Sequence, residues 1–78
     1  MKRSKNYYLK RVEHAVEEIR AGGDIDVSSL SKDTIDGMKL AFTDYLERVW
    51  LTIGDTAFNR KNYRSSTDYL FEQLSRNT

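Results

Sequence analysis

The stretch from Asp33 to Ile53 constrains this chain most, because its apolar residues recur at helical spacing through about six turns. Ile35, Met38, Phe42, Tyr45, Leu46, Val49 and Ile53 fall on one face, with Trp50 at its margin. Gly37, Asp44, Arg48 and Asp55 fall on the far side, where Asp44 and Arg48 are spaced to pair at i, i+4. Leu40 and Leu51 belong to neither set. They lie roughly 150° from the main stripe, and Phe58 joins them if the helix runs on. A helix that is apolar on two sides needs two coverings. One is the core of its own domain; the other is a further helix, a second subunit or a partner.

The flanking segments supply the rest of a helical core. From Lys5 to Ala21 the apolar residues Tyr8, Leu9, Val12, Ala15, Val16 and Ile19 form one stripe, with Glu13, Glu17 and Arg20 opposite. Gly22-Gly23 follows, as a helix end prefers. Ser31 or Asp33 opens the central helix, and Asp33 with Asp36 has capping-box spacing. Gly54-Asp55 ends or bends it. Ser65-Ser66-Thr67-Asp68 reads as a new start, leading into a helix that carries Leu70, Phe71 and Leu74 on one face. The expected fold is all-α, a single domain over residues 1–78. It is a small three-helix bundle with helices at about 5–21, 32–54 and 66–76, and room for a short fourth at 56–63. Asp24-Ile25-Asp26-Val27-Ser28 alternates polar and apolar like a short extended segment, with Ile25 and Val27 pinning the connection to the core.

Charge is unevenly spread although the net value is only +1. Residues 1–11 carry five positive charges and no negative ones, residues 12–58 sum to −6, and residues 59–78 sum to +2. Basic ends around an acidic middle fall short of a strong nucleic-acid footprint. There is no cysteine, which removes disulfides and thiolate metal sites and agrees with a reducing, cytoplasmic setting. The longest apolar run is three residues, too short for a signal peptide or a membrane span. No membrane partner and no cofactor are expected.

Candidate chemistry is sparse. His14 stands at i, i+3 and i, i+4 from Glu17 and Glu18, but a metal site needs more ligands, and no second His–carboxylate pair follows. Asp24, Asp26 and Ser28 imitate the first ligands of a calcium loop, which fails at its glycine position (Ser29) and at its bidentate glutamate position (Ile35). Serines 28, 29 and 31 lack a nucleophile elbow and a base, and no phosphate loop exists. The expectation is a protein that is not an enzyme and takes no small-molecule substrate.

Two binding surfaces stand out. Arg60, Lys61 and Arg64 are placed to neutralise phosphates, Asn59 and Asn62 to hydrogen-bond, and Tyr63 to stack on a base, with Lys2, Arg3, Lys5, Lys10 and Arg11 extending that surface if the ends meet. The other candidate is a protein interface made of Leu40, Leu51, Trp50 and Tyr7, Tyr7 lying opposite the core stripe of its helix. Asp24-Ile25-Asp26-Val27-x-x-Leu30, followed by Thr34-Ile35 and Met38, resembles the lead into a helix of the extraterminal domain of bromodomain proteins. That resemblance spans residues 24–38, lacks the long loop that precedes them in the family, and implies peptide binding by strand addition. The favoured expectation is a small adaptor or inhibitor that docks on another protein or on a second copy of itself. Phage and mobile-element regulators of host machinery, anti-CRISPR proteins among them, are of this type. The alternative is a nucleic-acid binder that uses Arg60, Lys61, Tyr63 and Arg64.

Overall fold

Each helix begins at a hydroxyl that caps it. In the computed structural model, which describes residues 4–76, the Ser4 side chain accepts from the Tyr7 N–H and opens α1 (Lys5–Arg20). Ser31 does the same for Thr34 at the start of α2 (Lys32–Ile53). At the start of α3 (Ala57–Arg76), the Thr56 hydroxyl accepts from the Asn59 N–H at 3.1 Å. α1 ends in a Schellman motif: the Gly23 N–H donates to the Glu18 carbonyl and the Gly22 N–H to the Ile19 carbonyl. Gly22 sits at φ +93°, where a Cβ would be strained.

The all-α three-helix bundle expected from the sequence is present, but its last helix is longer. Ser65-Ser66-Thr67-Asp68 lies inside α3, so the separate helices at 56–63 and 66–76 are one. Two local effects explain the difference. Thr56 supplies the cap, and the Thr67 hydroxyl donates back to the carbonyls of Tyr63 and Arg64, so it is satisfied inside the helix and is not available to cap a new one. The Asp24–Ser28 segment forms no strand, and none occurs among the described residues. It leads into a 3-10 turn at Val27–Ser29. Val27 is nonetheless buried and Ile25 half-buried, so the connection is pinned as the alternation suggested.

The core draws on all three helices: Tyr8, Val12, Ala15 and Val16 from α1, Ile35, Met38, Ala41 and Tyr45 from α2, and Leu70 and Leu74 from α3. α1 packs most extensively on α2. They approach closely at Gly37, where an added Cβ would stand 2.4 Å from the Tyr8 ring. Gly37 was expected on the solvent side; it is instead the notch that admits α1. Ile53, expected in the core stripe, is 42% exposed at the last residue of α2, where it lines a surface depression with Glu13 and Glu17 of α1 and Tyr63 of α3. The molecule is only 17 Å thick along its shortest axis. With two helices packed on α2, a third side of that helix faces water.

Candidate docking surface

That third side carries Leu40 and Leu51, which are 82% and 88% exposed. α3 does not cover them, because it spends Leu70 and Leu74 on the opposite side of α2, where both are completely buried. Phe71 reaches Phe42 with ring centroids 5.2 Å apart. Phe58 is 72% exposed in the first turn of α3, just past the short connection from α2. Leu51 and Phe58 thus flank the α2–α3 turn. Leu40 lies three turns back along α2, about 16 Å from Leu51 along the axis.

Apart from the two leucines, the face is acidic. At 100° per residue, the α2 positions within about 40° of Leu40 are Asp33, Asp36, Asp44, Glu47 and Leu51. Asp44 does not pair with Arg48 as the i, i+4 spacing suggested. It binds the Lys5 ammonium across to α1, and this contact raises the Lys5 pKa from its ordinary value. Beside Leu40 a groove of about 380 Å³ runs between the start of α1 and α2. Tyr8, Gly37 and Ala41 line its base.

Trp50 and Tyr7 were grouped with the leucines, and the structure separates them. Trp50 is half-buried and meets the Tyr63 ring edge-on at 6.0 Å, with the Arg60 guanidinium 5.5 Å from its ring centre. Tyr7 packs against the core and sets its ring edge-on to Tyr8 at 5.3 Å. It was placed opposite the core stripe, but its ring folds against the buried Tyr8 beside it and is only half-exposed, with the Arg11 guanidinium 5.9 Å from its centre.

The basic segment is tied into the fold. The Arg20 guanidinium lies 4.0 Å from the Tyr63 ring centre and donates to the Tyr63 hydroxyl at 3.0 Å, so the ring expected to stack on a base already carries a cation. Arg60 donates to Asp55 through two nitrogens, one at 3.0 Å, and its guanidinium holds the Asp55 carboxyl below the ordinary carboxylate range. Arg64 pairs with Asp68 at 3.5 Å. Asn59 donates to the carbonyls of Ile53 and Gly54 and closes the end of α2. Lys61 is exposed, and no ion pair to it is found among the described residues. Lys2 and Arg3 lie outside the described residues.

The remaining polar residues have local roles. Ser28 donates to Asp26, Ser29 donates to the Asp26 carbonyl, and Asp24 accepts from the Tyr69 hydroxyl at 2.8 Å, a bond that raises the Tyr69 pKa. These residues shape the turn that the calcium-loop pattern imitated. His14 is exposed, and no group of three or more histidine, aspartate and glutamate side chains among the described residues is arranged to hold a metal ion. No helix among the described residues is long and apolar enough to cross a membrane. Comparison with known proteins returns no matching family model, no matching curated protein and no matching solved structure.

Proposed function

We propose that this chain is a non-catalytic protein-binding module, an adaptor or inhibitor, that docks through the outward face of α2. One observation carries the proposal: Leu40 and Leu51 stay 82% and 88% exposed after all three helices have packed. Isolated surface leucines are ordinary. Two on one helix face, with Phe58 also exposed just past the turn, are the kind of apolar exposure that marks a partner surface. The partner supplies the second covering that α3 leaves open.

Nucleic-acid binding through Arg60, Lys61, Tyr63 and Arg64 is the weaker reading, because Arg60, Tyr63 and Arg64 already have partners within the chain. A tagged protein incubated in nuclease-treated lysate of the source organism tests both. The expected result is a protein partner that the wild type retains and a folded Leu40→Asp/Leu51→Asp variant loses. Retention by that variant refutes the docking face. So does a chain that captures no protein, runs as a monomer, and binds mixed DNA or RNA with a steep salt dependence.

A further inference from the structure

The outward face of α2 is specific in its chemistry as well as apolar. Two leucines about 16 Å apart share it with Asp33, Asp36, Asp44 and Glu47. Resting on the docking reading above, we infer that the partner presents a basic amphipathic helix, with apolar residues that meet Leu40 and Leu51 and lysines or arginines that face the carboxylates.

Three observations support this occupant. The first is charge complementarity: a neutral or acidic helix would dock its apolar residues only by placing the carboxylates against nothing or against like charge. The second is the contact the chain already makes. The Lys5 ammonium reaches from α1 to Asp44, so a cation carried on a neighbouring helix fits this face. The third is the groove beside Leu40. Lys5 lines one end of it and occupies Asp44, while its apolar base of Tyr8, Gly37 and Ala41 suits the methylenes of a lysine or arginine whose charged end reaches Asp33 or Asp36.

The same pattern argues against a second copy. A two-fold axis midway between Leu40 and Leu51 would set Leu40 against Leu51 of the other chain. It would also place Asp44 beside the other chain's Glu47, twice. Antiparallel pairing of this face with itself therefore juxtaposes like charges between the two leucine contacts. A basic helix replaces that repulsion with attraction.

The test uses two labelled amphipathic peptides of about 18 residues, long enough to span both leucines. One is built of leucine and lysine, the other of leucine and glutamate in the same order, and binding is read by fluorescence anisotropy. The lysine peptide is expected to bind and the glutamate peptide not. Binding of the lysine peptide should weaken about tenfold in an Asp33→Asn/Asp36→Asn/Glu47→Gln variant, the scale of three exposed pairs lost together. It should weaken again as added salt shortens the screening length. A Leu40→Ser/Leu51→Ser variant should lose it. If both peptides bind alike, or the neutralised variant binds unchanged while the leucine variant fails, the charge assignment is overturned and the docking face stands. If the leucine variant binds like the wild type, the docking face itself is refuted. A dimer in sedimentation equilibrium that dissociates on Leu40→Ser would make the occupant a second copy and overturn the inference.

Discussion

Replacing Gly37 with alanine sets two effects of opposite sign against each other. Glycine inside a helix costs about 1 kcal/mol relative to alanine, so at an open site the substitution would stabilise α2. Gly37 is not open. A Cβ there would stand 2.4, 2.5 and 2.6 Å from three atoms of the Tyr8 ring, where carbon contacts normally settle near 3.5–4.0 Å. The ring must move by about 1 Å, and it is a poor candidate to do so: Tyr8 is only 8% exposed and lies edge-on to Tyr7. Overpacking of this kind costs about 1–3 kcal/mol, here at the upper end. Net destabilisation of about 1–2 kcal/mol follows, lowering Tm by roughly 5–15 °C in a domain of this size. Urea and thermal melts followed by circular dichroism and Trp50 fluorescence measure it. In a Tyr8→Leu background the same change should become neutral or stabilising, giving a coupling of about 2 kcal/mol across the pair. A Gly37→Ala protein more stable than wild type would refute the close approach of α1 and α2 at this point.

Other perturbations separate the core from the docking face. Leu70→Ala removes a completely buried side chain and should cost about 2–5 kcal/mol in urea melts, enough to unfold much of so small a domain. Leu40→Ser and Leu51→Ser should each leave stability within about 0.5 kcal/mol of wild type; a larger loss would mean that the leucines are packed. Tyr63→Ala should lower Tm and change Trp50 emission, because the ring bridges Arg20 and Trp50. A nucleic-acid contact with no packing role would change neither. Burial pushes the Tyr45 hydroxyl well above its ordinary pKa of about 10, so the folded state holds a proton that the unfolded state releases. Stability should therefore be full below about pH 10 and fall as pH rises further, and Tyr45→Phe should flatten that loss in alkaline melts.

Periodicity carried most of the fold. The stripes of α1 and α2 were legible because each residue's face depends only on its position in one helix, and the buried residues Tyr8, Val12, Val16, Ile35, Met38 and Tyr45 all lie on the expected faces. Errors arose where a residue's role depends on another element. Ser65 and Asp68 have the spacing of a helix start, but Thr56 and Asn59 had already continued the chain into α3, and nothing local distinguishes a cap from a hydroxyl bonded back to its own helix. Gly37 looked like a solvent-side residue because its missing side chain matters only to Tyr8. That Leu40 and Leu51 lie off the core stripe was legible from their angle alone. Trp50 and Tyr7 were not separable from them, since Trp50 is covered from α3 and Tyr7 by its contact with the core through Tyr8. The aromatic–cation chain from Arg20 through Tyr63 and Trp50 to Arg60 joins residues far apart in sequence, and no spacing rule signals it.

Why the two leucines stay uncovered follows from the geometry of three helices. Leu70 and Leu74 can enter the core only from the side of α2 where Met38 and Tyr45 point. Moving α3 round to cover Leu40 and Leu51 would open that side and expose more apolar surface than it buried. The chain therefore folds with a deficit that its own residues cannot remove. Burying a leucine contributes about 1.5–3 kcal/mol, so Leu40, Leu51 and the exposed Phe58 hold several kcal/mol that only an outside surface can recover. Left plain, such a row would also drive the chain onto itself. Asp36, Asp44 and Glu47 beside the leucines oppose that self-pairing, and on the proposed docking reading the same carboxylates that keep the face in water would favour a cationic partner.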